Sequence, residues 1–230
     1  MVRRTAEETR ELLIDTGIEL LHERGPSAAV RHIRLRDVLD RADLTTGAAY
    51  RIWDDQDAYH RELAIAAVRW RDRTSTADTI ATVLPGLAAG VSWREIVRRG
   101  CEVNLWRYPD HIGFLTMLAL RASAYGDEQL TAASRERHHE AVGAYAAVYD
   151  QVIRAVGRVF RPGFTVDDAA AAMAALSEGF GVQGCTGEPH PRKALDADAA
   201  GPGDVDWTLL GVCAVAIFDH MTEPADAATG

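Results

Sequence analysis

Apolar residues recur every three or four positions through most of the chain, in segments bounded by capping and breaking residues, so helix is predicted almost throughout. The first helix starts at a capping box, Thr5 with Glu8, and sets Ile14, Gly17, Ile18 and Leu21 on one stripe before Gly25-Pro26 stops it. Arg36 to Ala42 reads as a second, short helix, Ala42-Asp43-Leu44 as a three-residue turn, and Leu44 to Trp53 as a third helix. Val38, Leu39 and Ala42, with Ala49, Tyr50 and Trp53, are predicted to cover the first stripe. A fourth helix opens at Asp54 or Asp55, buries Tyr59, Leu63, Ala66, Ala67 and Trp70, and links two domains. Further helices are predicted from Ser92-Trp93 to about Arg107, from Pro109 to about Ser123 and from Asp127 to about Phe160. Thr165 with Asp168 opens an Ala-rich helix to about Val182, and Asp206 caps a last one to about His220. Between these two, Gly184 to Asp204 reads as a flexible loop rich in Gly, Pro, Ala and Asp. The fold class is all-α: an N-terminal three-helix, helix-turn-helix domain over 1–72 and a larger helical domain over 73–230.

Composition agrees with a folded chain, since 230 residues that are 47% hydrophobic are ample for a core. The N-terminus lacks a secretory pattern, and the longest strongly apolar run, the 12 residues from Trp207 to Phe218, falls short of the roughly 20 that span a bilayer. A cytoplasmic protein without a membrane partner is expected. Cys101, Cys185 and Cys213 are odd in number and widely spaced, which suits buried free thiols in the core.

The net charge of −9 argues mildly against nucleic acid, so its distribution matters. Residues 1–60 hold nine Arg against twelve Asp or Glu, a net of −3, yet Arg31 to Arg51 holds five Arg against three Asp, a net of +2. A few placed guanidinium groups suffice for phosphate contacts. The third helix, with small residues, a Tyr and an Arg, fits a DNA major groove. The same Gly-x-x-Tyr-x-x-Trp spacing also suits ordinary helix packing, with Tyr50 in the core.

In the larger domain, spacing at 100° per residue puts His138, Ala141, Val142, Tyr145, Tyr149, Val152 and Val156 on one face of the long helix. Two readings fit. Either His138, Tyr145 and Tyr149 meet a small-molecule ligand together with Trp106, Phe114, Met117 and Tyr125, or they are a satisfied core His and core Tyr residues. Two Glu-x-x-His matches, Glu19-His22 and Glu136-His139, have the spacing of di-iron bundle ligands, but both carboxylates face away from the apolar stripes, so no metal is expected. With no Gly-rich phosphate loop, paired-Cys motif or Gly-x-Ser-x-Gly, neither an enzyme nor a cofactor is expected. The small residues of Ala169 to Ala175, with Leu209, Val212, Ala216, Ile217 and Phe218, suit a dimer interface or simply core.

The first ~70 residues resemble the DNA-binding domain of TetR-family transcription regulators: an amphipathic helix ending in Arg24-Gly25, then a helix-turn-helix closing on Gly47-x-x-Tyr50-x-x-Trp53. The resemblance implies that Gly47 opens the recognition helix, Tyr50 reaches a phosphate, and Trp53, where Phe is usual, locks the helix onto the core. Arg36, Thr45, Thr46, Ala48, Arg51 and Gln56 are further DNA-contact candidates, and Arg34 is another from its place at a helix start. Arg34 stands where a Ser or Thr cap is usual, Asp43 where Gly is, Ala48 where Thr is common, and Gln56 where a Lys contacts DNA. The family further implies a repressor, a homodimer through the last two helices that binds a palindromic operator and is released by a small-molecule effector. The competing class is a helical ligand- or partner-binding dimer without operator binding, to which Gln56, Ala48 and the net −3 point.

Overall fold

The computed structural model describes residues 4–27, 29–70, 74–105, 112–187, 189–195 and 205–226. Helices account for most of them: α1 (Ala6–Arg24), α2 (Leu35–Arg41), α3 (Thr46–Ala49), α4 (Gln56–Arg69), α5 (Thr74–Ala88), α6 (Trp93–Leu105), α7 (Ile112–Ala122), α8 (Glu128–Ala155), α9 (Val166–Cys185) and α10 (Leu209–Met221). Four short strands complete the set: β1 (Arg158–Phe160), β2 (Arg192–Leu195), β3 (Val205–Thr208) and β4 (Thr222–Pro224). The all-α expectation holds. Arg107, Pro109 and residues 196–204, where helix boundaries or loop were expected, lie outside the described residues.

The chain divides into two compact units, Met1–Arg71 with His111–His138, and Asp72–Asp110 with His139–Gly230. The predicted boundary at 72 falls at the edge of the first unit, but that unit also takes in 111–138.

In the first unit, α1 begins at the expected capping box: Glu8 N–H donates to Thr5 Oγ1 at 3.1 Å, and Thr5 N–H donates to Glu8 Oε2 at 2.7 Å. It ends at Gly25, whose φ of 77° suits glycine. Leu13, Ile14, Gly17, Ile18, Leu20 and Leu21 face inward. They meet Val38 and Leu39 of α2, Ala49, Trp53, and Tyr59, Leu63 and Val68 of α4 in one core. Each fully buried aliphatic side chain there contributes roughly 1.5–3 kcal/mol. Helix α7 packs on α1 and α4, and Leu120, Ala124, Leu130 and Ala133 complete the same core. Helix α7 comes close to its neighbours at Gly113, where an added Cβ would lie 2.4 Å from the Trp70 ring and 3.0 Å from His22 Nε2.

In the second unit, α10 packs against α6 and α9, and α5 against α6. Cys101, Ile153, Ala169, Met173, Leu210, Ala214 and Phe218 form the core. Helix α5 was not foreseen, although Val83 and Gly86 give it a buried side. The long helix stops at Ala155, short of the expected Phe160, because Gly157 (φ 70°) turns the chain into β1, which pairs antiparallel with β4. The expected loop of 184–204 is also corrected. Helix α9 continues to Cys185, and β2 pairs antiparallel with β3, Arg192 opposite Thr208. Asp206 does not cap the last helix; it sits in β3, where its carboxylate holds Arg192. The cap is Thr208, whose Oγ1 accepts from Gly211 N–H at 3.1 Å.

An ion-pair chain ties this hairpin to α6. Glu95, 8% exposed, accepts from Arg98 and Arg99, Arg98 also donates to Glu102, and Arg192 pairs with Glu102 and Asp206. Arg98, then Arg99, holds the Glu95 carboxyl below its ordinary value against the opposing effect of burial. The cysteines divide. Cys101 is buried, Cys213 is half-buried, and Cys185, expected in the core, is exposed.

Candidate nucleic-acid interface

Helix α3 is one turn long, shorter than Leu44 to Trp53, because only Thr46–Ala49 keep regular helical bonding. The backbone continues as turns, with Trp53 N–H donating to Ala49 O at 3.0 Å. Asp43 enters this segment with φ 53°, the left-handed conformation that Asp tolerates better than most residues. Ala49 (0% exposed) and Trp53 (4%) anchor it from behind. The Trp53 indole N–H donates to Glu62 Oε2 at 2.8 Å, Glu62 pairs with Arg10 at 3.4 Å, and the Tyr59 ring meets Trp53 edge-on at 5.1 Å.

With the inner face so held, the other face points to solvent. Thr45, Thr46, Gly47, Tyr50 and Arg51 are exposed, and Ala48 is half-buried. Tyr50, which the packing reading placed in the core, is 63% exposed. Thr45 is the N-cap of α3 but makes no side-chain cap bond. A Cβ added at Gly47 would meet nothing within 4 Å, so no neighbour among the described residues requires glycine there. Arg34, the N-cap residue of α2, makes no cap bond either.

The arginines separate into two groups. Arg41 forms a bidentate pair with Glu23 at 2.8 and 2.9 Å, and Arg24 pairs with Asp37 at 2.6 Å, fastening α2 to the end of α1. Arg31, Arg34 and Arg51 are exposed and make no ion pair among the described residues, while Arg36 has a loose one with Asp40 at 3.9 Å. The arginines without a close ion pair thus flank the α3 segment in sequence, as do the exposed Asp43, Asp54, Asp55 and Asp57. Gln56, exposed in the first turn of α4, has Nε2 3.4 Å from His60 Nε2, and His60 Nε2 in turn lies 3.0 Å from the Ile33 carbonyl.

The expected ligand set is not assembled within either unit. Phe114, Met117, Tyr125 and His138 fall in the first, Tyr145 and Tyr149 in the second, and Trp106 lies outside the described residues. Met117 is buried, Phe114 and His138 are half-buried, and Tyr125, expected to line a pocket, is fully exposed beside Gly126 (φ 83°). Tyr149 packs edge-on against Phe218 at 5.3 Å, as a core residue does. The most buried positions in the later part of α8 are Ala146, Val148 and Ile153, not the stripe through Tyr145 and Val152. Of the two Glu-x-x-His matches, Glu136 pairs with Arg69 at 2.8 Å. No group of three or more potential metal ligands occurs among the described residues. None of their helices is long and apolar enough to cross a membrane.

An N-terminal unit built on a helix-turn-helix, followed by a larger helical unit, defines the class of fold. Two solved structures share it over almost their whole length. One, from Rhodococcus sp., is assigned to the TetR family of transcriptional regulators; it is 20% identical, with a TM-score of 0.52, over 94% of this chain and 98% of that one. The other is the reduced form of NemR from E. coli, 16% identical, with a TM-score of 0.53, over 94% of this chain and 99% of that one. No family model matches the sequence, and no curated protein is similar to it. The chain has the TetR-family fold.

Proposed function

We propose that this protein is a sequence-specific, DNA-binding transcriptional regulator of the TetR type, acting as a homodimer and released from its operator by a small molecule. The observation that carries the reading is the two-sided α3 segment. Ala49 and Trp53 fix it from inside, while Thr45, Thr46, Gly47, Tyr50 and Arg51 face solvent with Arg34 and Arg36 nearby in sequence. Side chains that hydrogen-bond phosphates and base edges are thus held on an anchored frame. The TetR-like fold of solved neighbours supports the same reading. Dimerisation is assigned to α9 and α10, whose Leu209, Val212 and Ile217 are only half-buried within the chain and whose Ala216 is exposed. Effector release follows from linkage: a ligand that favours a conformation poor at binding DNA lowers operator affinity by the factor by which DNA lowers its own.

Selecting bound duplexes from a random pool, then titrating the best sequence with salt, tests the proposal. A palindromic site is expected, with log affinity falling linearly in log salt at a slope of about −0.9 per phosphate contacted. Gln56 and the acidic balance of the first 60 residues favour a second reading, a helical binding module that has lost its operator. An unenriched pool would select it.

A further inference from the structure

In the second unit, Arg161-Pro162-Gly163-Phe164 forms a tight turn between β1 and α9. Pro162 and Gly163 (φ 93°) occupy its centre, and Phe164 N–H donates to Arg161 O at 3.1 Å. The turn brings Arg161 and Phe164 to the end of α10, where they line a cleft together with Ala216, Asp219 and His220. The cleft is open to solvent and offers about 550 Å³, room for a small ligand. Phe164 and His220 meet edge-to-face at 5.5 Å and form an aromatic wall.

The charges around the cleft do not balance. Asp219 is shared by Arg94 at 3.2 Å and Arg158 at 3.7 Å, and Glu223 is taken by Arg161 at 3.2 Å, so three guanidinium groups face two carboxylates. The Arg158 side chain is 11% exposed and lies over the Trp93 ring at 4.6 Å, on which Arg94 also rests at 4.7 Å. Burial holds Arg158 below the ordinary arginine value; Asp219 opposes this, and Arg94 and Arg161 add to it. Arg161 uses Nε on the Thr222 carbonyl and Nη1 on Glu223, while its Nη2 makes no hydrogen bond among the described residues.

We propose that this cleft binds a small aromatic carboxylate, with its carboxylate on Arg161 and its ring against Phe164 and His220. The ligand's charge completes the neutralisation of the arginine cluster, and its ring covers the aromatic wall. The site does not depend on whether the chain binds DNA.

The test is calorimetric titration of the full chain with 2-naphthoate and with its neutral isostere 2-naphthamide. Saturable binding at one acid per chain is expected, at least tenfold tighter than the amide. Arg161→Gln should weaken it at least tenfold. Phe164→Ala, which removes the ring contact and lies outside both helices assigned to the dimer, should also weaken it at least tenfold. Thermal unfolding of each variant checks its fold; if Arg161→Gln does not fold, the acid–amide comparison and Phe164→Ala decide. Absence of saturable binding at millimolar naphthoate, equal affinity for acid and amide, or unchanged affinity in Phe164→Ala would overturn the proposal.

Discussion

At the scale of the residue, the tightest point of the first core is Gly17 against Tyr59. A Cβ at Gly17 would lie 2.3 Å from the Tyr59 hydroxyl, which is buried without a hydrogen-bond partner among the described residues and whose pKa burial raises. An unsatisfied buried hydroxyl costs about 1–3 kcal/mol, so Tyr59→Phe should stabilise the protein by roughly 1 kcal/mol in denaturant unfolding. Gly17→Ala should destabilise it, and by less when combined with Tyr59→Phe; additive effects in the double-mutant cycle would contradict the collision. Gly47 is the opposite kind of glycine, with no neighbour to exclude a side chain. Alanine there should leave stability unchanged or raise it by up to about 1 kcal/mol, yet weaken operator binding, because a methyl group would intrude on the approach of DNA. Equal operator affinity would remove Gly47 from the interface. The thiols offer a further check. Burial pushes Cys101 up to about 12, whereas Cys185 is exposed, so a thiol reagent at neutral pH should label Cys185 first and Cys101 only on unfolding.

At the scale of the element, the ion-pair chain between α6 and the β2–β3 hairpin sets a pH dependence. Glu95 titrates below its ordinary value of 4.5 in the folded state, so its contribution to stability is fully present above that value and is lost as pH falls through the depressed one. Glu95→Gln should lower stability at pH 7 and flatten its decline on acidification below about 4.5; a parallel decline in both proteins would mean the pairs are energetically neutral. What could be read in the sequence follows from how local each signal is. Helices α1 and α4 were legible because their caps, Thr5 and Asp55, lie within three residues of the groups they bond. The start of α10 was misplaced because Asp206 and Thr208 are both capping residues, and only pairing with β2, more than ten residues away, puts Asp206 in a strand. The outward face of the helix-turn-helix was legible from Gly47, Tyr50 and Trp53. The division of the long helix between the two units was not, because periodicity along a 28-residue helix cannot reveal which turns belong to which unit.

At the scale of the whole molecule, the first unit is discontinuous in sequence. Its core needs Leu120, Leu130 and Ala133 as well as the first 70 residues, and α7 lies against α1 and α4 with Gly113 at the Trp70 ring. A fragment of residues 1–72 would leave that side of α1 and α4 in water. It should show no cooperative thermal unfolding, whereas a chain ending after residue 138 should restore protection of the α1 and α4 amides in hydrogen exchange. If the short fragment unfolds cooperatively at the full-length midpoint, the later helices are dispensable to that core. Gly113→Ala should weaken the same packing by about 1–3 kcal/mol. The order of synthesis is constrained too. Domains commonly fold from the N-terminus as they leave the ribosome. Here the α3 segment emerges early but its supporting core cannot close until residues 111–138 have also been made, so until past the midpoint of the 230-residue chain the nascent protein carries an apolar surface that a chaperone can hold.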